Sequence, residues 1–409
     1  MKFATLGTDS DILRVAAAAR QLGHDVIWLG DVRPADAEAI RQIVTDGRDR
    51  AADWEMLLDR ASFDGVFVGQ GAASTELRAE QLKRLAAEAM PMLVVHPLFD
   101  SVLPYYEIDM ARRETRALVQ HYNADANEAA LARLCEYVGG MSAIGTIHQL
   151  TCERQVPNGD RTTVLRALAQ DVESLATIAG DIRRVSATGP ASADASFGSL
   201  QIQLTASKLT SVRWSIGAIA ANRSGVAFTL IGERGTVILE RNTLSQASTS
   251  SWQLTIKSEN RQAVEPLEVG DPAAIAVTRF TRAIEKPSPQ SGEGQSTWPA
   301  ATRAMEVVDA VELSLQKGRT IEVFQQQLTE RLAFRGTMAA LGCGLLLIAF
   351  FAVVVVAFLG GAEGVVREKI LPSWPLLLLA VLAFFLFLQA IPLLAQKSAP
   401  PDAPPTDEP

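Results

Sequence analysis

Four short apolar runs near the start of this chain are each followed by a stretch with helical spacing. The runs are Lys2–Gly7, Asp25–Gly30, Gly65–Gly69 and Met92–His96. Between them lie Ala-rich Ile12–Leu22, then Glu38–Val44 and Ala51–Ala61, then Glu76–Glu88. A strand that is apolar on both faces cannot sit on an open sheet, because one face would meet water. It needs cover on both sides, as a parallel sheet has when its crossover connections are helices. The pattern predicts a Rossmann-like, doubly wound parallel α/β sheet over residues 1–122, an architecture that binds nucleotides at the carboxyl ends of its strands.

From about residue 126 the texture changes. Ala126–Tyr137 and Val164–Ala179 read as helices, with an extended run at Ile144–Gln155. Five β-rich runs then follow closely: Ile182–Thr188, Phe197–Ala206, Thr210–Ile219, Val226–Ile231 and Thr236–Glu240. Trp252–Lys257 adds one more. Strand after strand with one covering helix predicts an α+β domain with an open antiparallel sheet over residues 123–325. Gly232-Glu-Arg-Gly235 is a hairpin signal. Pro287–Thr297 is a Pro/Ser/Gly-rich loop. Trp298–Leu315 reads as a helix that stops at Lys317-Gly318.

Two further runs decide where the chain is expected to reside. Residues 337–360 and 374–394 carry no formal charge. Each is long enough to cross about 30 Å of hydrocarbon as a helix. They predict two transmembrane helices, a hairpin that tethers the head to a lipid bilayer. The N-terminal run is broken by Asp9 and Asp11 and is not a signal peptide. Arg331, Arg335 and Lys397 outside the hairpin, against Arg367 and Lys369 within it, place the head and the C-terminal tail in the cytoplasm. The Pro- and acid-rich tail 398–409 is expected to be disordered. In the 409-residue chain the formal net charge is −8, which argues against nucleic acid as a partner. Cys135, Cys152 and Cys343 show neither metal-ligand spacing nor a disulfide framework.

Four local segments carry a resemblance. Ala79-Glu-Gln81 lies in the helix after the run Gly65–Gly69. Phe197-Gly-Ser-Leu200 begins a sheet strand. Ile231-Gly-Glu-Arg-Gly-Thr236 forms a hairpin, and Ala301–Arg319 a closing helix and turn. In this order they resemble the glucose–fructose oxidoreductase and inositol dehydrogenase (Gfo/Idh/MocA) family over residues 1 to about 322. The resemblance implies NAD or NADP in the first domain and a sugar or polyol hydroxyl oxidised against the second. It also implies a homo-oligomer formed through the sheet domain.

The residues at the implied cofactor seat are Gly7, Thr8, Asp9, Ser10, Asp31 and Gly69. A working dinucleotide turn reads G-x-G-x-x-G/A, so that backbone reaches the pyrophosphate at a helix N-terminus. Here the turn is Gly7-Thr-Asp-Ser-Asp-Ile12, with a carboxylate in the second glycine's place. Asp9, Ser10 or Asp11 is also a suitable helix N-cap. Asp31 stands where an acid would hold the ribose hydroxyls.

The family's catalytic Glu-Lys-Pro falls on Val95-His96-Pro97, so His96 replaces the lysine. Its active-site helix motif falls on Leu168–Ser174, which puts Gln170 in place of the acid–base histidine and keeps Asp171. A glutamine side chain neither takes nor gives a proton at useful pH. Two readings follow. In one, the head is a catalytically degenerate pseudoenzyme, a binding or scaffold subunit for a small sugar-like ligand with residual nucleotide binding. In the other, it is a divergent NAD(P)-dependent oxidoreductase in which His96 and Asp171 carry the chemistry. The charged stretch Glu107–Glu114 reads as helical ion pairs on a solvated face, and His148 as a residue in or beside the sheet.

Overall fold

The computed structural model describes residues 1–43, 54–126, 128–138, 144–192, 195–219, 223–244, 251–258, 261–286 and 297–323. Residues 1–325 form one compact unit. The two apolar runs, the acidic tail and Cys343 lie outside the described residues. Among those described, no helix is long and apolar enough to cross a membrane.

The first sheet contains β1 (Lys2–Leu6), β2 (Asp25–Gly30), β3 (Gly65–Val68), β4 (Met92–Val95) and β5 (Val119–Tyr122). All neighbours are parallel, in the order β2-β1-β3-β4-β5. The chain leaves β1 toward one edge and returns as β3 on its other side. This reversal opens a crevice at the carboxyl ends of β1 and β3. The connecting helices are α1 (Ser10–Gln21), α2 (Ala37–Ile43), α3 (Thr75–Ala87) and α4 (Leu103–Thr115). Of the helix expected over Ala51–Ala61, the described part is a short 3-10 turn at Trp54–Leu58. Strand β5 escapes apolar patterning because two of its four residues, Gln120 and His121, are polar. All four are buried. Thr297 pairs with the Gln120 backbone in an isolated antiparallel bridge and places its carbonyl 2.9 Å from His121 Nδ1.

The second sheet has nine strands: β6 (Ile147–Val156), β7 (Ile182–Thr188), β8 (Gln201–Ala206), β9 (Val212–Ile219), β10 (Arg223–Gly232), β11 (Gly235–Leu244), β12 (Ser251–Ser258), β13 (Arg261–Leu267) and β14 (Ile321–Glu322). Their order is β13-β12-β11-β10-β6-β9-β8-β7-β14. The expectation of an antiparallel sheet is corrected here. The sheet is mixed, because β6 and β9 at its centre run parallel. The chain between them includes α6 (Arg161–Ala179), the kind of long crossover that parallel neighbours require. Helices α5 (Glu128–Cys135), α6 and α8 (Trp298–Lys317) share a core with this sheet. The hairpin at Gly232–Gly235 joins β10 to β11 in direct register. Helix α8 ends on Gly318 at φ +61°, the left-handed cap its sequence signals.

Helix α7 (Pro272–Glu285) follows the second sheet yet packs on the first. With α1 it covers one face, where Phe3, Phe67 and Phe280 meet at ring separations of 4.6 to 6.2 Å. A Cβ on Gly65 would lie 3.0 Å from the Phe280 ring, so glycine lets α7 approach the strand. Helix α8 is tied to α4: Trp298 Nε1 donates to the Tyr105 carbonyl at 3.0 Å, and the two rings stack at 4.9 Å.

Candidate functional site

The turn from β1 to α1 is built around Asp9. Its backbone is extended, and its side chain caps the helix. Oδ1 accepts from Asp11 N at 2.9 Å and Ile12 N at 2.8 Å, while Oδ2 accepts from Gln70 N at 2.9 Å. Helix N-termini present unsatisfied N–H groups that bind anions. Here the chain's own carboxylate takes them. Thr8 is fully buried, with its hydroxyl accepting from Arg33 N at 2.9 Å. Ser10 opens α1 at an exposed position. Gly7, at φ +80°, faces Gly69 so closely that a Cβ on it would meet the Gly69 carbonyl at 2.4 Å.

Arg78, from α3, fills the next part of the crevice. It is 2% exposed. Nη2 donates to Asp31 Oδ2 and to the Gln70 carbonyl, and Nη1 to Gln81 Oε1 at 2.9 Å. Burial lowers the guanidinium's pKa, and Asp31 opposes that shift. Asp31 is fixed in turn by Ala72 N and Ala73 N. The Cβ positions of Gly7 and Gly71 lie 2.6 and 2.7 Å from Arg78 Nη2, so only glycines leave room for it.

At the ends of β4 and β5 two histidines meet, with ring centroids 5.2 Å apart. His96 precedes the cis peptide to Pro97 and is fully buried, with no hydrogen-bond partner at either ring nitrogen. Burial, and then the neighbouring His121, push its pKa down to about 3. It is neutral at physiological pH. His121 Nδ1 faces the Thr297 carbonyl, which can only accept, so this nitrogen carries a hydrogen. Its Nε2 lies 2.9 Å from Glu173 Oε2, off the line of a good hydrogen bond. Asn123 Nδ2 donates to the same carboxylate at 2.9 Å. Burial alone would raise the Glu173 pKa, but His121 and Asn123 outweigh it and lower the pKa below the usual range. Sequence reasoning misses His121, although a histidine in an otherwise β-forming tetrapeptide is a visible signal.

Gln170 and Asp171 sit in a different group. Arg154 on β6 donates Nη1 to Asp171 Oδ1 at 3.1 Å and Nη2 to Gln170 Oε1 at 3.1 Å and to Asp125. Trp214 Nε1 donates to Asp171 Oδ2 at 2.8 Å, and Arg241 donates to Asp125. Burial pushes the Asp171 carboxyl up to about 6 against the pull of Arg154. Burial also works against Asp125, but Arg154 and Arg241 win and hold it well below the usual range. Both Asp171 oxygens are thus engaged by structural partners. His148 on β6 is exposed, 4.0 Å from Glu233. On α4, Asp109 pairs with Arg112 and Arg113 at 2.8 and 2.6 Å.

Two cavities flank these groups. One, of about 120 Å³, lies between Pro97, Phe99, α6 and α8. The other, of about 40 Å³, is bounded by His121, Asn123, Glu173 and Arg279. Among the described residues no cluster of metal-ligating side chains occurs.

The seat at β1, β2 and β3 does not fit a dinucleotide pyrophosphate. The N–H groups that would receive it are bonded to Asp9, and the acid that would meet the ribose is bonded to Arg78.

No protein-family model matches the chain, and no curated protein matches it in sequence. Solved structures do match. An Agrobacterium radiobacter oxidoreductase in complex with NAD+, L-tartaric acid and magnesium superposes with a TM-score of 0.61 at 13% identity, covering 79% of this chain and 98% of its own. A levoglucosan dehydrogenase in complex with NADH gives 0.62 at 13% identity, over 80% of this chain and 99% of its own. A mutant of an Actinomadura kijaniata 3-ketoreductase, in complex with TDP-benzene and NADP, gives 0.62 at 16% identity, over 77% and 97%. The chain shares the fold of these oxidoreductases. At such identities the likeness is one of fold alone.

Proposed function

We propose that the head is a non-redox, ligand-binding relative of the NAD(P)-dependent sugar and polyol oxidoreductases, its dinucleotide seat held by its own side chains. The observation that carries this reading is Asp9, whose carboxylate accepts three backbone N–H groups at the mouth of α1 and β3. A pyrophosphate would have to displace those bonds. Charge-assisted hydrogen bonds contribute roughly 1.5–3 kcal/mol each. It would also stand against a carboxylate, a repulsion of about 4 kcal/mol at 4 Å and an effective dielectric near 20. Micromolar binding needs only about 8 kcal/mol in total. Calorimetric titration of the full-length protein with NAD and NADP is expected to give no saturable heat. Micromolar binding of either would overturn the reading.

A second reading, a divergent NAD(P)-dependent oxidoreductase acting on a sugar or polyol hydroxyl, draws support from the oxidoreductases that share the fold. It also draws on the pairing of His121 with Glu173 beside His96. Reduction of NAD or NADP by any member of a polyol panel would establish it, and His121→Ala should then cut the rate by about 10²–10⁴. Under either reading the runs 337–360 and 374–394 supply a membrane tether, with head and tail in the cytoplasm. Extraction by alkaline carbonate would count against the tether. Association through the second sheet is tested by sedimentation of the same preparation.

A further inference from the structure

The larger cavity holds the chemistry that remains unassigned. Its inner wall is apolar, with Phe99, Leu165, Met305 and Val308 among its lining side chains. Two guanidinium groups, Arg161 and Arg166, lie along it, both from α6. Both already hold carboxylates, but unequally. Arg161 donates Nε to Glu312 at 3.0 Å and packs over the Phe197 ring at 5.0 Å. Arg166 offers both Nε and Nη2 to one oxygen of Asp100, at 3.3 and 3.2 Å. These are long for charge-assisted bonds, which run near 2.7–2.9 Å. The cations also lie deeper than their partners. Arg166 is 32% exposed against 63% for Asp100, and Arg161 is 14% exposed against 32% for Glu312. A group entering the cavity therefore passes the acids at the rim and reaches guanidinium and hydrocarbon beneath them.

We propose that this cavity binds a short-chain organic carboxylate, its body against the apolar wall and its carboxylate on Arg166, in exchange for Asp100, with Arg161 alongside. At about 120 Å³ the cavity is slightly smaller than an apolar cavity of about 150 Å³ that takes up benzene, a fit for an acid of about six heavy atoms. Asp100 is an internal competitor: a weakly held carboxylate that shows the geometry Arg166 accepts. The proposal names a ligand class for the binding function inferred above and rests on that reading. It is independent of the crevice at β1.

The test is calorimetry on the full-length protein at low salt, with isobutyrate and its neutral isostere isobutyramide as probes. Isobutyrate should bind at least tenfold more tightly than the amide. Arg166→Gln should weaken the acid at least tenfold and leave the amide unchanged. Asp100→Asn should tighten the acid severalfold, because the competitor is removed. That gain separates a binding role from a structural ion pair, whose loss would not improve binding. Asp100 stands on an exposed loop, so this variant keeps the test sound if Arg166→Gln fails to fold. Equal binding of acid and amide, or an unchanged or weaker affinity in Asp100→Asn, overturns the proposal. Dinucleotide binding, by contrast, would defeat the earlier reading and leave this outcome to the acid alone.

Discussion

At the carboxyl end of β1 one side chain does what a bound anion does in related folds. Asp9 neutralises the start of α1 and ties it to β3 through Gln70. Replacing an N-cap acid by alanine costs about 1–2 kcal/mol. Asp9→Ala is therefore expected to lower unfolding stability by that amount, measured in urea. His96 gives a second prediction. Its pKa falls from 6.5 in the unfolded chain to about 3 in the fold. Between those values the unfolded state binds the proton and the native state does not. The stability present above pH 6.5 is therefore lost as pH falls toward 3. Two pH units below 6.5 the loss from this group approaches roughly 3 kcal/mol, at about 1.36 per unit. His96→Leu should flatten that part of the profile. Urea melts of both proteins at pH 7 and pH 4.5 check it, and an equal slope in the two would refute it.

At the scale of elements, α7 and α8 do the tying. Phe280 places a ring against Phe3 and Phe67 from a helix more than two hundred residues downstream of them. Truncating such a buried aromatic typically costs about 3–5 kcal/mol, and Phe280→Ala should show it as a lowered denaturation midpoint. Gly318 ends α8 in a left-handed conformation, and a Cβ placed on it would meet nothing within 4 Å. Gly318→Ala thus isolates the backbone effect and should cost about 1 kcal/mol. A larger loss would mean that the site also suffers a clash.

For the molecule as a whole, one hydrophobic core runs from the α3–α4 face of the first sheet to the second sheet. The other face of the first sheet is closed by α7. Residues 1–122 alone would leave Phe3 and Phe67 without the Phe280 ring and β5 without Thr297. They are expected to show no cooperative melt by circular dichroism, whereas residues 1–325 should unfold in a single transition. Two separate transitions in 1–325 would contradict this.

Much of this architecture is local and legible in the chain. The apolar runs of the strands, the helical stretches between them, the hairpin glycines at 232 and 235 and the stop at Gly318 depend only on near neighbours. Asp9 is one of three residues suited to cap α1, because a cap is a contact across three residues. Strand β5 and helix α7 escape a local reading, since β5 is half polar and both owe their places to partners far along the chain.

The sequence by itself determined the order of most strands and helices, with β5, β13, β14 and α7 left out, and the glycine turn with a carboxylate in it, because backbone geometry and side-chain patterning are short-range. Only the tertiary structure decided that Arg78 crosses 47 positions to take Asp31, that His121 meets His96 and Glu173, and that Asp171 is shared by Arg154 and Trp214. Those pairings follow from burial: an ionised or polar group drawn into the interior must find a partner wherever the fold brings one, and chain order does not say where.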